Sequence, residues 1–134
     1  MSGEGFAGIW RLVPEESDIP PVTKSQILAI ETDGVHVAMT ETIVNDRDEV
    51  LTITVDAEFD GVDRPVHGTP FADTVAYTLR GPRTIEGIAK KNGVVVVKET
   101  AELDDDDDAV RVTYVSFDAE GNSSVNHGFF ERVE

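Results

Sequence analysis

The chain of 134 residues has no cysteine, which removes disulfides, thiolate nucleophiles and Cys-ligated metals together and leaves the redox compartment open. Basic residues are scarce: 11 Lys and Arg stand against 27 Asp and Glu, for a formal net charge of −16. A field of that sign repels phosphates and anionic lipid, so neither nucleic acid nor a membrane is expected as a partner. Long apolar runs are missing as well. Val94 to Val97 falls far short of the roughly 20 apolar residues a spanning helix needs. Met1-Ser2-Gly3-Glu4-Gly5 shows neither a basic n-region nor an apolar h-region. A cytoplasmic location is therefore expected, with a removed leader and a secreted or periplasmic location as the alternative.

No segment carries apolar residues at helical period. What is there instead is alternation at period two, from Gly8-Ile9-Trp10 through Lys24 to Glu31, Gly34 to Val44, Glu49 to Phe59, Asp73 to Arg80, Arg83 to Lys90, Val94 to Leu103, Ala109 to Phe117 and Ser123 to Val133. Turn chemistry separates these runs: Thr32-Asp33-Gly34, Asn45 to Asp48, Gly81-Pro82, Asn92-Gly93 and Ala119 to Asn122. Asn92-Gly93 is the strongest, since a type I′ hairpin needs positive φ at both central residues. Short turns between consecutive strands imply an antiparallel meander in one domain spanning residues 1–134. The expected fold class is all-β, an antiparallel up-and-down barrel of about 8–10 strands. Pro14 to Thr23 reads as an extended crossover, and Asp60 to Asp73 as one longer connection.

A Trp near the start of a β-meander and a basic residue at its end, here Trp10 and Arg132, resemble the signature of the calycins, the lipocalin and fatty-acid-binding-protein barrels. The segments Asp60-Gly61, Pro65-Val66, Gly68, Pro70, Asp73-Thr74-Val75, Arg83-Thr84-Ile85-Glu86 and Lys90-Lys91-Asn92-Gly93 are similar to a group of small, largely uncharacterised bacterial lipocalin-like proteins. The resemblance runs from Gly8 to Arg132. It implies a barrel with Trp10 plugging the closed end and Arg132 stacked on it, and an interior that takes one small ligand. It brings no activity with it. The Arg-x-Tyr carboxylate anchor of fatty-acid-binding proteins falls on Gly128 and Phe130, so that mode of fatty-acid binding is not expected, unless Arg111 turns inward.

Taking the more apolar face of each strand as inward places Val35, Val37, Met39, Ile43, Leu51, Ile53, Val55, Phe59, Val75, Tyr77, Leu79, Val95, Val97, Leu103, Val110, Val112 and Tyr114 inside. Of these, Val37, Met39, Ile53, Val55, Tyr77, Val97, Val112 and Tyr114 are the candidate ligand-binding residues. Glu41 and Glu99 break the pattern by sharing those inward faces. A desolvated carboxylate has a raised pKa, which acid–base chemistry near neutral pH requires; a place at the barrel mouth, or a bulge that turns them outward, is the alternative. Tyr77 and Tyr114 can orient a ligand oxygen or simply fill core. With His127, these four are the candidate catalytic residues.

Other chemistries find little support. His36, His67 and His127 lack the i,i+2 or i,i+4 pairing of metal sites on one element, so no metal is expected. His67 or His127 alone can ligate haem iron, yet nothing else in the sequence calls for a cofactor. Asp104 to Asp108 has part of the EF-hand spacing, but Ala109 stands where that loop needs Gly and Val115 where it needs Glu, which leaves a solvated turn. Nucleophile elbows and phosphate-binding glycine loops are absent. The expectation is a binder of one small, mainly apolar molecule, uncharged or weakly polar, in a monomer or homodimer. The rival is a cofactor-independent cyclase or isomerase acting on a polyketide- or terpenoid-like intermediate.

Overall fold

The computed structural model describes residues 4–18 and 23–133. Ten antiparallel strands follow one another around a closed barrel: β1 (Gly8–Leu12), β2 (Thr23–Thr32), β3 (His36–Asn45), β4 (Val50–Glu58), β5 (Arg64–His67), β6 (Thr74–Gly81), β7 (Thr84–Lys91), β8 (Val94–Leu103), β9 (Ala109–Phe117) and β10 (Ser123–Arg132). Each strand pairs with its neighbours in sequence, and β1 closes the ring by pairing with both β10 and β2. This is the up-and-down barrel that the alternation implied. Closure also removes the open sheet edge on which an edge-to-edge dimer would rest, except beside β5, which forms two register pairs on each side.

One end of the barrel is plugged. Trp10, Phe6 and Phe130 are its largest fully buried side chains. Trp10 Nε1 donates to the Phe6 carbonyl at 2.9 Å, so the indole leaves no orphaned donor. The Arg132 guanidinium lies 4.3 Å from the Trp10 ring centroid and donates to the carbonyls of Asp107, Ala7 and Gly5. One cation on the last strand thus ties the segment leading into β1 to the Asp104–Asp108 turn while stacking on the plug.

Several local expectations are corrected by the structure. The long connection after β4 contains a tenth strand, β5, too short to show alternation and interrupted by Pro65. Pro14–Glu16 forms a 3₁₀ turn rather than extended chain, with Pro14 in the first position, where its missing N–H costs nothing. Residues 19–22, part of the same expected crossover, lie outside the described residues. Val35 sits in the turn before β3 and is exposed. Val95 is exposed too, because the pairing of β7 with β8 shifts register between Ala89 and Lys90 and turns the start of β8 outward. Arg111 faces outward, 4.8 Å from the Phe129 ring centroid, so it supplies no interior anion anchor. At the Asn92-Gly93 turn both residues have positive φ, 52° and 79°, as the type I′ geometry requires.

Candidate functional site

The opposite end of the barrel is open. A cavity of about 600 Å³ runs inward from it, walled by Ile43, Leu51, Ile53, Val55, Val75 and Val97, within the 300–1,000 Å³ range of small-molecule pockets. Its rim is formed by Asn45, Glu49 and Val50 around the β3–β4 turn and by Thr69, Pro70, Phe71 and Ala72 between β5 and β6. Phe71 is exposed at that rim rather than folded into the barrel.

At the floor of the cavity the apolar lining gives way to polar groups. Glu41, Glu99, Tyr77, Tyr114 and Met39 wall both this cavity and a smaller one of about 70 Å³ that lies against Trp10, Phe6 and Leu28. They form a layer between the plug and the open end. Strand register explains how it arises. Tyr77 on β6 pairs with Gly87 on β7, Gly87 with Glu99 on β8, Glu99 with Tyr114 on β9, and Tyr114 with Asn126 on β10. Since side chains directly across a ladder share a face, Tyr77, Gly87, Glu99 and Tyr114 form one inward-facing row, which ends at Asn126, whose amide donates to the Asp18 carbonyl.

Gly87 is the space in that row. A Cβ built there would stand 3.0 Å from Tyr77 Cε1 and 3.1 Å from both Glu99 Cγ and Glu99 Oε1, so the missing side chain is what lets phenol and carboxylate approach. Glu41 reaches the same layer from β3, where it pairs with Leu28 and Ile53. The buried Gln26 amide donates to Glu41 Oε2.

Their environment sets the protonation of these groups. Burial pushes the Glu99 carboxyl up, and the nearby Glu41 charge pushes it further, to about 7. Burial also raises Glu41, against which the Gln26 hydrogen bond acts in part. Tyr77 and Tyr114 are held well above the ordinary phenol value, first by burial and then by the two carboxylates. Both phenols are therefore neutral donors at any physiological pH, while Glu99 can hold or release a proton near neutrality. The Tyr77 hydroxyl meets the weak acceptor Met39 Sδ, at 4.0 Å. Among the described residues no side chain donates a hydrogen bond to Glu99.

Of the expected site residues, the barrel brings Glu41, Glu99, Tyr77 and Tyr114 together, with Met39, Ile53, Val55 and Val97 on the same cavity. Val37 and Val112 line the small inner cavity instead. His127 does not join the site. It faces outward on β10, its backbone N–H and ring bonded to Asp18, because Gly128 and Phe130 take the inward positions of that strand. His36 is exposed beside Asp33 and Glu58, and His67 is exposed on β5. None of the three imidazoles lines either interior cavity. Within Asp104 to Asp108, Asp104 Oδ1 accepts the Asp108 and Ala109 amides, and Asp107 pairs with Arg83.

Sequence reading missed Gln26 and Gly87. The period-two pattern carried back from Leu28 does place Gln26 inward; Gly87 shows only as an absent side chain between Ile85 and Ala89. Comparison with protein-family models, with curated proteins and with solved structures gave no match to this chain, so the site stands on its geometry.

Proposed function

We propose that this protein is a lipocalin-like barrel that binds one small, mainly apolar molecule in its interior. The observation that carries this reading is the open cavity of about 600 Å³ with aliphatic walls and a single polar layer at its floor. Walls of that kind supply affinity by removing apolar surface from water, and a few converging polar groups fix orientation. Native mass spectrometry of protein purified from its source organism, followed by extraction, tests it. A stoichiometric apolar compound is the expected result; a barrel that is empty and also fails to take up environment-sensitive apolar dyes would count against it.

A second reading, acid–base isomerisation or cyclisation of such a molecule, is favoured by one specific feature. Two carboxylates of raised pKa converge on the cavity beside two neutral phenols. In that reading Glu99 is the base in its ionised form, Tyr77 and Tyr114 donate to the developing oxyanion, and the walls hold a flexible substrate near its reactive conformation. A generic carbon-acid probe, 5-nitrobenzisoxazole, tests whether the carboxylate acts as a base: it removes the C3 proton as the N–O bond breaks to give the cyanophenolate. Ring opening faster than with acetate at equal concentration, and lost on Glu99→Gln, is expected. A native rate equal to that of Glu99→Gln would end this reading.

A further inference from the structure

We propose that the molecule held in the barrel is a hydrophobic amine, its protonated nitrogen lying between Glu41 and Glu99 and its apolar body extending up the cavity toward the mouth. This deepens the binding reading and rests on it. Four observations lead here.

First, the cavity is lined by Glu41, Glu99 and, at its rim, Glu49, with no Lys, Arg or His on its wall among the described residues. Arg47 answers Glu49 at the rim, but an anion reaching the floor would face Glu41 and Glu99 with no cation on the lining among the described residues, so carboxylic acids and phosphates are the wrong ligands.

Second, the chain places its few cations elsewhere. Glu86, one register step from Gly87 but on the outer face of β7, has both Arg80 and Lys98 within ion-pair distance, at 2.6 and 3.8 Å. Glu99, on the inner face of the adjacent strand, has neither an ion pair nor a hydrogen bond among the described residues. A half-buried carboxylate on an apolar wall without a cation is costly, and folding alone offers no reason for two of them to share one layer.

Third, the groups that surround these carboxylates suit an ammonium. Tyr77 and Tyr114 present rings and phenol oxygens beside Glu99, and Met39 adds a polarizable sulfur. Aromatic faces attract a desolvated cation, and ionised oxygens accept its N–H donors in short, charge-assisted bonds. Gly87 keeps the space between Tyr77 and Glu99 clear.

Fourth, the formal charge of −16 draws cations toward the molecule and repels anions before any contact is made.

The test compares three probes of matched chain, decylamine, decan-1-ol and decanoate, by isothermal titration calorimetry at physiological ionic strength. The native protein is set against the Glu41→Gln/Glu99→Gln double variant. Replacing two desolvated carboxylates by amides relieves their repulsion, so the variant is expected to fold; its thermal transition confirms that.

Decylamine is expected to bind one to one, at least about ten-fold more tightly than decan-1-ol, with decanoate weakest; the double variant should lose about ten-fold or more for the amine and little for the alcohol. The variant keeps 14 of the 16 net negative charges, by the arithmetic of −16 + 2, so amine affinity unchanged in it would mean adsorption to the acidic surface and would overturn the proposal. Decan-1-ol binding as tightly as decylamine would overturn it while leaving the interior-binding reading intact. If none of the three binds, both fall together.

Discussion

Glu99 shows most clearly how one half-buried group links stability to function. In the folded barrel its carboxyl titrates near 7, against an ordinary value of 4.5. Below the ordinary value it is protonated in both the folded and unfolded states and has no effect. As pH rises from 4.5 toward 7 the unfolded chain ionises while the folded chain holds its proton, so stability falls across that window and levels off above it. The groups facing Glu99 are Glu41 from β3, Tyr77 from β6 and Tyr114 from β9, and β7 contributes only Gly87. Glu41 is raised as well and adds in the same direction, whereas the phenols stay neutral throughout. Surface carboxylates such as Asp33, lowered to about 2 by backbone amides, act in the opposite sense and at lower pH. Glu99→Gln should therefore match the native protein near pH 4.5 and exceed it by about 1–3 kcal/mol near pH 8, as read from urea unfolding at the two pH values. Parallel pH profiles for the two proteins would show that Glu99 is already answered by a partner.

At the scale of elements, the long strands were legible because each has one wet and one dry face, and period two survives wherever that holds. Legibility failed where the backbone departs from that regularity. The exposed start of β8 could not be read from its run of four valines, since a register shift beside Ala89 reverses the faces there without changing composition. The site followed the same rule. Glu41 and Glu99 stood out as acids on apolar faces, while His127 was misplaced because Gly128 hides the parity of β10. The polar row itself depends on cross-strand register, which no single strand encodes. β5 was invisible for a different reason: with two register pairs on either side it is held less by its own sequence than by the chain that positions it. Gly68, which ends it, has φ +96°, and a Cβ there would stand 1.9 Å from the Thr52 carbonyl oxygen. Gly68→Ala should thus push β5 off β4 and cost about 2 kcal/mol or more, with amide exchange quickening at Val55 and Val66. Gly93→Ala is the control. Its φ is +79° but nothing lies within 4 Å of the added methyl, so it should cost only about 1 kcal/mol, the conformational term alone. Equal losses at the two positions would show that contact with Thr52 is not what requires Gly68.

At the scale of the whole molecule, the barrel divides labour between its ends under a large excess of one charge. The plug of Trp10, Phe6 and Phe130 concentrates the best-packed apolar side chains away from solvent, which frees the open end to carry a cavity and exposed apolar residues such as Val50 and Phe71. Ion pairs such as Lys24–Asp48, Arg47–Glu49 and Arg11–Glu131 sit on the exposed surface, where each is worth about 0–1 kcal/mol and salt weakens it. Against them stands the repulsion among the acids that no base answers, from 27 acidic and 11 basic residues. Salt screens both, and the numbers decide which effect wins: with more than twice as many acids as bases, relief of repulsion outweighs the weakened pairs. Raising NaCl from roughly 0.05 M to roughly 1 M, which shortens the screening length to about 3 Å, should raise the urea midpoint, by an amount on the order of 1 kcal/mol in unfolding free energy. A midpoint that fell instead would mean that the surface pairs hold the barrel together more than its net charge strains it. Salt and pH then act at separate places: the Glu41–Glu99 pair lies at the floor of a narrow, mainly apolar cavity and is screened less than the outer surface, so the stability gained by Glu99→Gln near pH 8 should persist in high salt better than the rest of the electrostatic strain.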